Sequence, residues 1–304
     1  MPGRTVITIG NFDGVHLGHQ SLFHAASDAA GPGGRVVAVV FDPHPATRLR
    51  PESVPLRLTT LAQRTRLAVE AGVDQVVALN PTAELLGTSP EAFVGGVVQR
   101  HHPNVVVEGP DFRFGHERRG EVDLLARLGA EQGFAVIVVP PAQGVLSDHS
   151  CVTISSSLVR WMLEHGRVED AHRLLGRPYE VRGMVAPGDK RGRQLGVPTA
   201  NVAAQTMLPG DGVYSGRATA PDGTWCAAAI NVGQRPTFGG GRRVCEVHLL
   251  DVDLPLDDYG WECAVCFDGF LRNEIRFDGV NAVRHQIDRD IDRTRDLLAR
   301  RQEA

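Results

Sequence analysis

The stretch Gly10-Asn11-Phe12-Asp13-Gly14-Val15-His16-Leu17-Gly18-His19 decides the fold of the first half of this chain. The apolar run Val6–Ile9 precedes it, and apolar residues at helical spacing follow it from Leu22 to Ala29. The pattern therefore predicts a strand, a turn and the start of a helix. The first turn of such a helix offers unbonded N–H groups and the positive end of the helix dipole, which together suit a phosphate.

Two histidines of this stretch, His16 and His19, stand three residues apart. Residues at that spacing share a helix face, so both imidazoles could contact one anion. The alternative is a strand–turn–helix connection in which they only form hydrogen bonds. A zinc site is disfavoured because no third ligand is near and the His-Glu-x-x-His pattern is absent. The motif resembles the HxGH signature of nucleotidylyltransferases, which implies that the histidines steady a triphosphate and that ATP is bound by Gly10, Asn11, Phe12, Asp13 and Gly18.

Composition limits the possible functions. The chain has 304 residues, enough for about two domains, and a formal net charge of −4 with a pI near 6.3. That charge argues against broad nucleic-acid binding, which needs a basic surface. No apolar run reaches the roughly 18 residues of a membrane helix, and the N-terminus has no signal-peptide pattern. We therefore predict a cytoplasmic protein that acts on small molecules without nucleic-acid or membrane partners, and we leave its oligomeric state open.

The five cysteines are scattered and odd in number, which is typical of reduced thiols in a reducing compartment. Cys263 and Cys266 form a CxxC pair within a predicted strand, where residues three apart point to opposite faces. The pattern favours buried small side chains over a redox or metal site.

Residues 1–176 alternate apolar runs with helical patterns, which is typical of repeated βα units and an open parallel sheet. Ligands of such sheets bind beyond the carboxyl ends of the strands, where the His16 motif falls. The predicted strands are Val6–Ile9, Val36–Phe41, Gln75–Leu79, Asn104–Val107 and Phe134–Val139, with helices near 18–30, 60–71, 90–101 and 121–132. Helical patterns follow at Leu158–His165 and Val168–Leu175.

The segment Gly176-Arg177-Pro178 breaks the last of these helices, and we place a domain boundary there, with a second domain over residues 177–304. The segments that follow are short, alternating and rich in Gly and Pro, which is typical of antiparallel strands of a small barrel. They are Tyr179–Val185, Gly212–Thr219, Trp225–Val232, Val244–Leu250 and Glu262–Phe267. A helix near Val280–Leu298 closes the chain, with Val283, Ile287, Ile291 and Leu298 on one side and charges elsewhere.

Three further segments of the first half carry candidate site residues. His44 follows the second strand between two prolines, which fix the backbone, although such turns are common. Asp111 and Arg113 stand among aromatics that could stack on flat rings; the alternative is an aromatic-anchored loop with a surface ion pair. Ser155, Ser156 and Arg160 combine a serine-rich helix start with an arginine one turn in, which could clamp a polyphosphate, or simply cap the helix.

Taken in this order, the segments resemble the FMN adenylyltransferase module of bacterial bifunctional riboflavin kinase/FAD synthetases. The resemblance implies a Rossmann-like parallel sheet of the HxGH type. It also implies that His16, His19 and Arg160 act in catalysis, that Ser155 and Ser156 bind ATP, and that FMN contacts His44, Asp111 and Arg113. Ser157 stands where the family usually has Thr, and it keeps the hydroxyl.

The loop from Gly188 to Asn201 is the second strong signal. Its glycines let backbone N–H groups approach a phosphate, although basic hairpins are common and no Walker A pattern follows. Thr199 and Asn201 offer two oxygens that suit Mg²⁺ shared with ATP phosphates. The loop resembles the riboflavin kinase signature, with Val197 in place of the usual Phe, and the resemblance assigns phosphate binding to Gly188, Lys190, Gly192, Arg193 and Gly196.

Strand alternation puts Glu246 and His248 on one face and Val247 and Leu249 on the other. A lone strand glutamate is usually solvated, but the family resemblance implies that Glu246 is the general base on the riboflavin 5′-hydroxyl. It also places the flavin against Arg272, Glu274 and Phe277, of which the phenylalanine is equally plausible in the core.

The resemblance, over about residues 5–295, implies a mainly β, six-stranded-type barrel with a C-terminal helix and two activities. ATP would phosphorylate riboflavin to FMN, and ATP would then adenylylate FMN to FAD with release of pyrophosphate. The chain begins almost on its first strand, whereas the family commonly has a short leader. A divergent paralogue with one activity or a changed substrate, and a non-catalytic flavin-binding module, are the alternatives.

Overall fold

The computed structural model describes residues 3–188, 196–235, 242–252 and 259–302. Contacts divide the chain into two compact units, Met1–Gly144 with Cys151–Ser156, and Val145–Ser150 with Ser157–Ala304. Residues 157–176 thus group with the second unit, and the domain boundary at residue 176 stays a prediction.

The first unit is built on a five-stranded parallel sheet in the order β3-β2-β1-β4-β5. Its strands are β1 (Thr5–Gly10), β2 (Arg35–Phe41), β3 (Gln75–Leu79), β4 (Val105–Glu108) and β5 (Ala135–Val138). All five predicted strands exist, within a residue or so at each end. The chain order changes direction between β1 and β4, so the crevice beyond their carboxyl ends is where such a sheet binds a ligand.

Helices cover both faces of this sheet: α1 (Leu17–Ala30), α2 (Ala46–Leu49), α3 (Leu61–Glu70), α4 (Ala83–Leu86), α5 (Pro90–His101) and α6 (Val122–Gln132). One core cluster joins Val6, Val36 and Val105 to α1, and another joins Ile7, Val37 and Val106 to α5 and α6. Because successive strand residues enter opposite clusters, the strands are apolar on both sides, which explains their unbroken apolar runs. Short strands β6 (Gln143–Val145) and β7 (Cys151–Thr153) pair with each other.

The second unit contains a closed six-stranded barrel in the order β10-β11-β12-β9-β8-β13. The strands are β8 (Tyr179–Ala186), β9 (Ala200–Ala204), β10 (Gly212–Thr219), β11 (Trp225–Arg235), β12 (Arg242–Leu249) and β13 (Glu262–Arg272). Five match predicted segments, and the barrel is confirmed. The strand that the pattern did not show is β9, whose three alanines have low strand propensity and which is fixed by pairing with β8 and β12.

The remaining helices are α7 (Ser156–Glu164), α8 (Val168–Leu175) and α9 (Val280–Gln302). The predicted apolar side of α9 holds, since Val283 and Ile287 line a cavity of the barrel. The most buried positions of α9 are nevertheless polar: Asp290 is 6% exposed and Thr294 is fully buried. Within the described residues, no helix is long and apolar enough to cross a membrane.

Candidate active sites

The loop between β1 and α1 brings the two histidines together. His16 caps the helix, and its Nδ1 accepts the backbone N–H of His19 at 3.3 Å. The two imidazoles stack with ring centroids 3.6 Å apart, and the edge of Phe12 meets His19 at 5.2 Å. The predicted shared face for the histidines is therefore present at the first turn of α1, beside the N–H groups that suit an anion.

Asp13 is an anchor within this loop. Its buried carboxylate accepts hydrogen bonds from the backbone N–H groups of Leu58 and Thr59 and from the Thr59 hydroxyl, at 2.9 to 3.1 Å. The Thr59 hydroxyl oxygen in turn accepts the N–H of Gly14. These contacts show what holds the loop, and direct ATP binding by Asp13 stays a prediction.

The two glycines of the motif leave room for rings. A Cβ at Gly10 would lie 3.0 Å from the Phe12 ring, and one at Gly18 would lie 3.2 Å from the His16 ring. Phe12 and Val15 adopt positive φ angles of 45° and 41°, so the turn is tight. The need for glycine here comes first from packing, while the predicted ATP contacts of Gly10, Asn11, Phe12 and Gly18 stay predictions.

Arg64 is a site-shaping residue that the sequence interpretation missed. It is 5% exposed, and one guanidinium nitrogen donates to the carbonyls of Asn11 at 2.8 Å and Phe41 at 3.1 Å. Another nitrogen pairs with Asp42 at 2.5 Å. Arg64 thus ties together the loops after β1 and β2. It lies on the same face of α3 as Leu67 and Ala68, and an arginine on an apolar helix face was the signal to look for.

His44 lies in the second of these loops. Its ring nitrogens are 3.2 Å from the side-chain nitrogen of Asn11 and 3.0 Å from the backbone nitrogen of Ala46. The predicted meeting of the loops after β1 and β2 is therefore present, and contact of His44 with a flavin stays a prediction.

Glu108, the last residue of β4, was also missed. It is 2% exposed, and its side chain accepts the N–H of Ile9 at 2.6 Å, so a side chain bridges β1 and β4 at their carboxyl ends. Burial, with a smaller contribution from the nearby charge of Asp111, raises the pKa of the Glu108 carboxyl well above its ordinary value.

The loop after β4 uses its aromatics internally. Phe114 is buried, and its ring stacks on Phe112 at 5.3 Å and lies 6.1 Å from Phe93. Arg113 pairs with Glu121 at 3.5 Å on the surface. These contacts are those of the alternative considered above, an aromatic-anchored loop with a surface ion pair. Flavin contacts of Asp111 and Arg113 stay predictions.

The serine-rich start of α7 is fixed to the histidine loop. The Ser156 hydroxyl donates to the Asp13 carbonyl at 2.8 Å, and the helix already begins at Ser156. This bond is not simple capping of α7. Arg160 belongs to the second unit, and the roles of Ser155 and Arg160 stay predictions.

In the second unit, strand register aligns three polar residues. Glu246 of β12 is paired directly with Asn201 of β9 and with Asn231 of β11. Directly paired residues project from the same face of the sheet, so a carboxylate stands between two side-chain amides. Asn231 also donates to Glu274 at 3.3 Å. Asn231 was not among the predicted site residues, and its β-strand partnership with Glu246 explains its place.

A cavity of about 750 Å³ opens beside this row, within the roughly 300–1,000 Å³ typical of ligand pockets. Glu246 and His248 both line it, whereas Val247 and Leu249 are buried on the other face, as the alternation predicted. Predicted residues that line it are Thr199, Glu246, Arg272, Glu274 and Phe277.

The start of the basic loop reaches this row. A Cβ at Gly188 would lie 2.0 Å from the side-chain nitrogen of Asn201, so the loop begins in close contact with that amide. Gly196 is exposed with a φ of 80°. Lys190, Gly192 and Arg193 lie outside the described residues, and their phosphate contacts stay predictions.

Arg272 holds α9 against the barrel. Its guanidinium donates to both carboxylate oxygens of Asp290 at 2.7 to 3.1 Å, and it lies 5.7 Å from the centre of the Phe277 ring. Such two-point pairs fix geometry as well as charge. The charge at Asp290 therefore lies on the buried side of α9, which the predicted division into an apolar side and charges elsewhere did not include.

The donor set bears on metals. Among the described residues there is no group of three or more His, Cys, Asp or Glu side chains that could hold a metal ion. Burial raises the pKa of Cys263 to about 11 and that of Cys266 to about 12, which keeps both thiols protonated at neutral pH. Thr199 and Asn201 instead present neutral oxygens beside a carboxylate, which suits Mg²⁺ carried by a nucleotide.

A phosphate-type loop at the switch point of a parallel sheet, and a closed barrel with a carboxylate in its cavity, define a two-part nucleotide-dependent transferase. The FAD synthetase family matches residues 1–156, and the riboflavin kinase family matches residues 175–298. Relatives described as bifunctional riboflavin kinase/FMN adenylyltransferase are 35% identical over 293 residues in Escherichia coli (strain K12) and 38% identical over 301 residues in Pseudomonas fluorescens. The alignments cover 94% and 97% of this chain and 90% and 93% of those proteins. The chain belongs to this bifunctional family.

A solved structure has the same fold over nearly the whole chain. It is titled a macrolide-efflux protein from Streptococcus pneumoniae, with 30% identity, a TM-score of 0.86, and coverage of 97% of this chain and 95% of that one. The activity in that title is said of that protein, and the agreement here is in fold.

Proposed function

We propose that this chain makes both flavin coenzymes: its barrel unit transfers the γ-phosphoryl group of ATP to riboflavin, and its first unit joins the resulting FMN to AMP. The observation that carries the proposal is the row Asn201–Glu246–Asn231 beside the barrel cavity. That row puts one carboxylate next to a neutral oxygen donor and a volume that fits a ligand. A binding module needs no such base.

In the barrel, Glu246 accepts the proton of the riboflavin 5′-hydroxyl, whose oxygen forms a bond to the γ-phosphorus as the bond to ADP breaks. Phosphoryl transfer depends mainly on positioning and electrostatics, so one base and a phosphate cradle suffice. Thr199 and Asn201 would hold Mg²⁺, which, when bound, offsets negative charge on the phosphates. The basic loop would cover them.

In the first unit, a phosphate oxygen of FMN forms a bond to the α-phosphorus of a second ATP as the bond to pyrophosphate breaks. His16 and His19 stabilise the charge that develops on the phosphates, and the N-terminus of α1 adds its N–H groups. Arg160, Ser155 and Ser156 assist there. No covalent intermediate with the protein is needed. We place this chemistry in the cytoplasm, with small molecules as its substrates and without nucleic-acid or membrane partners.

Two substitutions test the division of labour. Glu246→Gln is expected to abolish phosphorylation of riboflavin while FAD formation from supplied FMN continues. His19→Ala is expected to do the reverse, because removal of one such phosphate contact typically costs roughly 2.7–4 kcal/mol of barrier. The assay incubates the protein with ATP, Mg²⁺ and either riboflavin or FMN, and separates the flavins by chromatography.

Matched controls come from the same elements. Glu262→Gln changes an exposed strand glutamate of the barrel, and His24→Ala changes an exposed histidine of α1. Both are expected to keep both activities. A Glu246→Gln protein that phosphorylates riboflavin at the wild-type rate removes the base from the mechanism. A wild-type protein with one activity identifies the divergent paralogue, and one with neither identifies a flavin-binding module.

A further inference from the structure

His248 has no role in the mechanism above, yet it lies at the reacting end of the barrel. It follows Glu246 by two residues on the same face of β12 and lines the same cavity. The imidazole is half-buried. A polar ring in this place needs either a ligand or a fixed partner in the protein.

Its partner is the turn that leads into β9. The Nδ1 atom of His248 lies 2.8 Å from the carbonyl oxygen of Pro198. A carbonyl only accepts hydrogen bonds, so Nδ1 carries the proton and donates it. Burial lowers the pKa of the imidazole, with the charge of Arg295 acting in the same direction, so the ring is neutral at neutral pH and this N–H is the one it has.

The bond continues the strand pairing by other means. The backbone ladder between β12 and β9 runs through Glu246↔Asn201 and Val247↔Ala200, which are its last pairs toward the turn. One step further along β12 is His248, and its side chain holds Pro198. Thr199, between the end of the ladder and this bond, is thereby held at both sides, and it lines the cavity.

We propose that His248 is a positioning residue for nucleotide binding: through the Pro198 carbonyl it fixes the turn so that the Thr199 hydroxyl faces the phosphates of Mg²⁺–ATP. This inference rests on the proposed kinase activity. It assigns His248 neither proton transfer nor contact with the flavin. Loss of a group that orients a ligand typically lowers metal affinity or activity by about 10–100-fold.

The position of one N–H group distinguishes this role from packing. The amide nitrogen of asparagine can occupy the place of Nδ1, whereas that of glutamine extends to the place of Nε2. His248→Asn is therefore expected to keep the KM for Mg²⁺–ATP in riboflavin phosphorylation within about threefold of wild type, and His248→Gln to raise it by about tenfold or more. Calorimetric titration with Mg²⁺–ADP should show the same order of affinity. FAD formation from FMN is the internal control, and His285→Asn changes an exposed histidine of α9.

Each outcome decides the inference. Weak nucleotide binding by Gln, restored by Asn although Asn fills less volume, supports it. Equal loss in both variants, or loss that follows their melting temperatures, overturns it, and so does normal binding in both. If Glu246→Gln keeps kinase activity, the proposed function fails instead. If Glu246→Gln is inactive while His248→Gln binds normally, only the role of His248 fails.

Discussion

The two units place their candidate site residues by different physical means. In the first unit the residues lie on loops beyond a parallel sheet, and buried charged side chains hold those loops: Asp13 to the backbone of Leu58 and Thr59, and Arg64 to Asn11, Phe41 and Asp42. In the barrel, Asn201, Glu246 and Asn231 are neighbours because the backbone ladder pairs them.

The difference predicts different sensitivities to mutation. Loops held by a few buried charges lose their geometry when one charge is removed, because the partner is left buried and unpaired. A row fixed by strand register keeps its geometry unless the ladder itself slips. Disturbance of the first site should therefore cost stability and activity together, whereas the second can lose activity at little cost in stability.

Arg64→Met should have the largest effect. It removes the ion pair with Asp42 and the bonds to two loop carbonyls, and a broken buried pair typically costs about 3–5 kcal/mol. We expect loss of FAD formation from FMN, a lower melting temperature for the first unit, and near-normal phosphorylation of riboflavin. Calorimetric melting and the two assays measure these effects.

The matched control is Arg66→Met on the same helix. Arg66 is 43% exposed and pairs with Glu70 four residues on, a surface arrangement worth about 0.3–0.5 kcal/mol. An Arg64→Met protein that adenylylates FMN as well as the control does would show that the loops after β1 and β2 hold themselves.

Gly188→Ala should affect the barrel site with little change in stability. The new Cβ would lie 2.0 Å from the side-chain nitrogen of Asn201, and the flexible end of that side chain can turn away cheaply. The turn moves the amide that we propose for Mg²⁺. A misplacement of about 1 Å can cost a hundredfold in rate, so we expect riboflavin phosphorylation to fall by about 10–100-fold.

Melting curves of Gly188→Ala should superimpose on those of wild type, and FAD formation from FMN should be unchanged. Gly95→Ala is a control, since a Cβ there meets nothing within 4 Å and alanine favours a helix. A large fall in melting temperature for Gly188→Ala would contradict the independence of the barrel site from stability.

The fold could be predicted well because hydrophobic periodicity determines it. The strands of the first sheet are apolar on both faces, and the barrel strands alternate. The sequence could not show β9, since a five-residue strand with three alanines has no strong pattern and is fixed by its neighbours. The extension of β13 to Arg272 was missed because Asp268 and Gly269 interrupt the apolar pattern.

The sites were predictable to a lesser degree. Motifs indicated the loops and Glu246, and the structure does bring Glu246 beside Asn201 and the cavity. The supporting residues Arg64, Glu108 and Asp290 were missed, because burial of a charged side chain depends on partners far away in the chain. Glu108 accepts from Ile9, 99 residues earlier. A single sequence carries no signal for such a pair beyond a charge in an apolar run.

Glu108→Gln should have the smallest effect on activity and sharpens the comparison through pH. The Glu108 pKa is raised in the folded protein by burial, so between the ordinary pKa and the raised one the folded state keeps a proton that the unfolded state releases. Stability therefore falls as pH rises through that window. Glutamine keeps an acceptor for the Ile9 N–H and cannot ionise. We expect the variant to melt above wild type at about pH 8, with the difference shrinking toward about pH 4, while FAD formation stays near normal. Glu131→Gln, an exposed glutamate of α6, should show no such pH dependence. If Glu108→Gln melts below wild type at every pH, the carboxyl is ionised in the folded state and a charge, rather than a neutral acid, bridges β1 and β4.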